Sequence, residues 1–127
     1  MPDDAKTISA LRSGKVAARI TSGDSMRPLM RPGQRQILVP VLTDDIAALL
    51  RCTRYAGQAL EGDLCYVPLT ELKPGDAVFC RVGRAVFTHR VLAIRDPDWP
   101  EFLIGRAAGK PDGWTREVYG KCVRVEE

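Results

Sequence analysis

The sequence predicts a mainly β fold: a compact antiparallel β-sheet or half-barrel of about six to eight short strands with one or two short helices. Apolar residues alternate in stretches that recur every 8 to 12 residues or so, each bounded by turn residues. Nine prolines and eleven glycines in 127 residues favour short connections over long helices. Only two segments show helical spacing.

The first of these is "DDAKTISALRS", residues 3 to 13. Its acidic residues come early and its basic ones late, Ile8 and Leu11 are three apart, and Gly14 follows as a C-cap. "KVAARITS" then alternates, with Val16, Ala18 and Ile20 on one side and Lys15, Ala17 and Arg19 on the other. This strand runs into Gly23-Asp24-Ser25. After the Pro32-Gly33 turn, "RQILVPV" places Ile37, Val39 and Val41 on one face, and Pro40 marks an edge or the strand's end. Residues 43 to 56, "TDDIAALLRCTRYA", read as the second helix. Thr43 caps it, Asp44 and Asp45 suit its first turn, and Ile46, Leu49 and Leu50 share a face. From residue 60 the chain is β again. "EGDLCYVPL" and "PGDAVFCRV" each follow a Gly-Asp with apolar alternation, and "VGRA" turns the chain into "VFTHRVLAI", residues 86 to 94. The polar loop "RDPDWPE", the strand "FLIG" and a last strand "REVYGKCVRV" complete the chain. No linker divides it, so residues 1 to 127 read as one domain.

Composition excludes several function classes. Hydrophobic residues make up 45% and charged residues 28%, the balance of a globular domain, and a net charge of +3 is too small for a dedicated nucleic-acid binder. Arg81, Arg84, Arg90 and Arg95 are scattered and read as a solvated face. Two Trp, three Tyr and three Phe are too few to form an aromatic-basic groove, and Trp99 and Trp114 lie in loop-like contexts. Cys52, Cys65, Cys80 and Cys122 form no CxxC and no Cys/His cluster, so no metal or cofactor is implied. They read as reduced thiols of a cytoplasmic protein, with Cys65 and Cys80 in the core. No apolar run approaches the 20 or so residues that span a bilayer, so no membrane anchor is expected.

Two residues carry candidate chemistry. Ser25, in "TSGDSMRPLMRPG", is either part of an ordinary turn or a nucleophile, and as a nucleophile it needs a neighbouring base. His89 is the one histidine. Alternation puts it on a face with Phe87 and Val91, opposite Thr88, Arg90 and Leu92, as a core histidine or as a base in a partly dry site.

What joins the two is the order "GDSMRP", "PGDAVF", "THRV". Gly23-Asp24-Ser25-Met26-Arg27-Pro28, Gly75-Asp76-Ala77-Val78-Phe79 and His89-Arg90-Val91 resemble the serine peptidase superfamily that unites type I signal peptidases with SOS-repressor-type (LexA-like) self-cleaving peptidases. The resemblance covers roughly residues 15 to 125. It implies Ser25 as nucleophile and His89 as general base, in the manner of the histidine-bearing branch. It implies Gly23, Asp24, Met26 and Pro28 as residues that shape the oxyanion site, and Asp76 and Arg90 as support for the base strand. An acidic residue orienting the imidazole is also implied. Asp112 is the candidate, a Pro-Asp-Gly turn is its other reading, and Asp96 and Asp98 are alternatives. The family's second Gly-Asp either has its aspartate replaced at Gly33-Gln34 or has its counterpart at Gly62-Asp63; the second is the preferred reading and makes residues 42 to 60 a helical insertion. With no anchor and no DNA-binding domain expected, the resemblance implies a stand-alone member of phage or mobile-element type, cleaving a protein or peptide in trans or itself, with Ala56-Gly57 as the dipeptide considered for self-processing. The alternative is a non-catalytic dimerisation or partner-binding module, with Val123 and Val125 at a homodimer interface.

Overall fold

A computed structural model describes residues 4–23, 26–27, 29–106 and 109–127. The described residues form two α-helices and nine strands. In order these are α1 (Asp4–Arg12), β1 (Ala17–Ile20), β2 (Arg35–Leu42), α2 (Asp44–Leu50), β3 (Thr53–Arg54), β4 (Cys65–Pro68), β5 (Ala77–Val82), β6 (Ala85–Arg95), β7 (Glu101–Gly105), β8 (Pro111–Thr115) and β9 (Val118–Glu126). The fold is mainly β, as the alternation predicts. No helix among the described residues is long and apolar enough to cross a membrane.

The strands form one sheet in the order β3-β4-β2-β9-β5-β6-β7-β8, with β1 paired to β2. Every pairing is antiparallel except β2 with β4 and β3 with β4. The sheet is curled. Thr115 Oγ1 on β8 donates to the Arg81 carbonyl on β5 at 2.6 Å, although two strands separate β5 from β8 in the order. The curl encloses the main core, built on Ile37, Val39, Val78, Cys80, Val91, Phe102 and Ile104. A smaller cluster of Leu11, Ala17, Leu38, Phe79 and Tyr119 seats α1. Each large side chain buried here contributes about 1.5–3 kcal/mol.

Several elements depart from the sequence expectation, each for a local reason. The second helix stops at Leu50, where Arg51 takes a left-handed conformation (φ 60°) and its N–H returns to the Ala47 and Ala48 carbonyls. Residues 53 and 54 then add a short strand beside β4, so the segment from 42 to 60 is not purely helical. Thr43 does cap this helix. Its buried residue, however, is Ala47, while Ile46 and Leu49 are exposed, so the expected apolar face points outward. A seven-residue helix on the rim of a sheet rests on one small side chain.

In β1 the inward residues are Ala17 and Arg19, while Ile20 is half exposed. Arg19 is accommodated by Asp4 of α1, 3.0 Å away, and by the face of Phe79. The Pro-Asp-Gly segment is not a turn but the start of β8, and Trp114 sits within that strand under the Arg95 guanidinium. Trp99 remains in a loop, stacked against Arg116. Of the scattered arginines, Arg84 and Arg95 are exposed and Arg81 and Arg90 half-buried, with Arg81 paired to Glu117 and Arg95 to Glu101.

Candidate active site

Ser25 belongs to the connection between β1 and β2. Thr21 donates its N–H to the Gln34 carbonyl at 2.7 Å, and Gly33 donates back to the Thr21 carbonyl at 2.9 Å, so the 14-residue loop from 21 to 34 is closed at its base. Within it Gly23 has φ +74°, a left-handed bend that suits glycine. Met26 and Met30 are buried, and the Met30 N–H donates to the Met26 carbonyl at 3.0 Å, while Leu29 beside them is exposed. Asp24, Ser25 and Pro28 lie outside the described residues.

His89 sits in the middle of β6, opposite Val78 of β5, and is only 6% exposed. Phe87, two residues earlier on the same face, stacks on it with ring centroids 3.9 Å apart and 16° between planes. Its Nδ1 lies 2.6 Å from Asp112 Oδ2. With the carboxylate as acceptor, the proton resides on Nδ1 and the lone pair of the neutral ring on Nε2. A buried imidazole held in one tautomer by a carboxylate can accept a proton at Nε2 and carry the resulting charge.

The backbone of β7 and β8 makes this contact. Ile104 pairs with Gly113 and Gly105 with Pro111, which leaves Asp112 as the extra residue of a bulge. Such bulges re-aim a side chain, and here the bulge turns Asp112 past the end of β7 to reach β6. Gly105, the last residue of β7, leaves room: a Cβ there would collide with Leu92 Cδ1 and lie 2.7 Å from the Lys110 carbonyl oxygen.

The other sequence candidates have separate places. Asp76 is nearly buried. Its carboxylate accepts from the Lys73 N–H at 3.0 Å and faces Lys73 and Lys121 at 3.8 and 3.6 Å. Its carbonyl accepts the Val91 N–H at 2.9 Å, so this Gly-Asp turn fixes β6 two residues beyond His89. Arg90 is half-buried and pairs in register with Ala77 and Gly105. Asp96 binds Arg116 at the surface, and Asp98 lines a separate groove beside Trp99 and Asp44. Neither of them is the carboxylate that meets His89.

A cavity of about 60 Å³ joins the serine loop to the histidine. From the loop side it is lined by Thr21, Ser22, Gly23, Met26 and Met30, and from β6 by Phe87, Thr88 and His89. Residues on both sides of Ser25 in sequence therefore share one cavity with the imidazole. The buried Gln36 also lines it, on the β2 face shared with Leu38 and Pro40. Alternation does not mark Gln36, because it assigns only the Ile37 face of β2 to the interior, whereas β2 is buried on both faces. The signal was available: Leu38 and Pro40 beside it are also apolar.

A thiol does not compete as nucleophile here. Burial, and secondarily the charge of Asp112, push the Cys80 thiol up to about 12, so it stays protonated near neutrality. Among the described residues no group of three or more His, Cys, Asp or Glu side chains is placed to hold a metal ion. Comparison with family models, with curated proteins and with solved structures finds no match to this chain.

Proposed function

We propose that this protein is a serine endopeptidase in which Ser25 is the nucleophile, His89 the general base and Asp112 the residue that orients the base. The observation that carries this reading is the 2.6 Å contact between Asp112 and the buried His89, which stands on the wall of the cavity that residues flanking Ser25 also line. A lone buried histidine has many structural uses. One fixed by a carboxylate beside a Gly-Asp-Ser-Met-x-Pro loop has the parts of an acyl-transfer site.

The chemistry follows in two steps. His89 Nε2 takes the Ser25 hydroxyl proton as Oγ attacks the peptide carbonyl carbon, and the imidazolium is stabilised by Asp112. Backbone N–H groups beside Ser25 hold the oxyanion. The proton passes to the departing amine as the C–N bond breaks, leaving an acyl ester on Ser25. His89 then takes a proton from the water that attacks the ester carbonyl, and returns it to Ser25 Oγ as the ester C–O bond breaks and the carboxylic acid product leaves. The Gly-Asp-Ser-Met-x-Pro and Thr-His-Arg-Val motifs support the same reading, as does the mainly β fold.

The test is mass spectrometry of the wild type and of Ser25→Ala and His89→Ala after incubation from mildly acidic to alkaline pH, alone and with an unfolded protein. Cleavage by the wild type and by neither variant is expected, and fragment masses separate self-processing from action in trans. Intact protein throughout, with all three folded alike, would leave a non-catalytic binding module instead.

A further inference from the structure

Three buried polar side chains outside the proposed triad connect the two halves of the site. Gln36 on β2 is 1% exposed, and Thr21 and Thr88 are also buried. Gln36 Nε2 donates to Thr21 Oγ1 at 3.0 Å, and Thr88 Oγ1 donates to Gln36 Oε1 at 2.6 Å. Thr21 is the residue at which the serine loop closes on itself through Gln34 and Gly33. Thr88 immediately precedes His89.

These bonds span the molecule rather than one ladder. β2 and β6 are three positions apart in the strand order, separated by β9 and β5. Through the backbone, the serine loop and the histidine are therefore related only across those intervening strands. The Gln36 amide crosses directly between them. Both ends of the amide are engaged by hydroxyls on different halves, and all three side chains line the same cavity as His89. A buried amide costs stability unless it is satisfied, and substituting an apolar residue would leave two hydroxyls without partners in the interior.

We infer that Gln36 is a positioning residue, which through Thr21 and Thr88 fixes the serine loop at a set distance from the histidine strand. The inference rests on the peptidase reading for its catalytic consequence, but the coupling of loop to strand stands on the hydrogen bonds alone. Displacing reacting groups by a fraction of an ångström costs acyl transfer far more than it costs binding.

The test compares the wild type with Gln36→Leu and the isosteric Thr88→Val, each confirmed as folded by circular dichroism. Two readouts are taken: hydrogen exchange of the Thr21 and Gly33 amides, and kcat and KM on fluorescein-labelled casein. The expected result is at least tenfold faster exchange at these two amides in both variants. It is accompanied by a tenfold or greater fall in kcat with KM within threefold, a split that a general loss of structure would not produce. Exchange unchanged in either folded variant overturns the inference. Should Gln36→Leu fail to fold, Thr88→Val alone decides. Should the wild type leave casein intact, the peptidase reading loses its support on this substrate and exchange alone decides the positioning role.

Discussion

His89 is identical in the sequence and in the fold, but its meaning changes between the two. In the sequence it is one imidazole on an alternating strand, equally at home in a core. In the fold its Nδ1 is bound to Asp112, and that bond sets which nitrogen can act as a base. Asp112→Asn keeps the shape and removes the charge, and an amide in place of the carboxylate favours the wrong tautomer. A fall in kcat on the order of 10³-fold with little change in KM is expected from steady-state assays. A loss below tenfold would show that Asp112 does not orient the base. The sequence offered Asp112 with Asp96 and Asp98 as alternatives, and no spacing rule separates these three aspartates. Only the bulge does, because it determines where a side chain points.

At the scale of elements, alternation located most strands, since a half-buried strand writes its period into the sequence. It failed where burial is on both faces or on neither. β2 is covered on both sides, which concealed Gln36; β8 holds Pro, Asp and Gly, which resemble a turn; and α2 is too short to need an apolar stripe. The end of β7 has the sharpest consequence. Gly105→Ala forces its methyl against Leu92 and the Lys110 carbonyl, and the carbonyl belongs to the approach into β8. The substitution is expected to destabilise the protein by about 1–3 kcal/mol and to lower cleavage by displacing Asp112. Thermal melting and activity of the same preparation check both. An unchanged melting temperature with full activity would show that β8 shifts freely.

For the whole molecule, the curled sheet brings together residues from three chain regions: the loop after β1, the middle of β6 and the bulge in β8. The order of motifs was legible in the sequence, whereas their convergence required the curl. Burial raises two thiols, Cys80 in the enclosed core to about 12 and the half-buried Cys122 beside the smaller cluster to about 11. A thiol raised in the folded state from an ordinary value of 9.0 contributes stability that is fully present below pH 9 and lost as pH rises through the folded value. The melting temperature is therefore expected to fall progressively above pH 9, with Cys80 contributing on the order of 4 kcal/mol by pH 12. In Cys80→Val that decline becomes shallower, which melts at pH 8, 10 and 11 would reveal. Equal slopes in the two proteins would assign the alkaline sensitivity elsewhere.

The claim that Ser25 and His89 act as one unit is tested most directly by a double-substitution cycle in single-turnover cleavage, using wild type, Ser25→Ala, His89→Ala and the double variant. Residues of one catalytic unit lose their contribution together, so the double variant should be no slower than the slower single variant. Losses that multiply, or cleavage that persists in Ser25→Ala, would contradict the account.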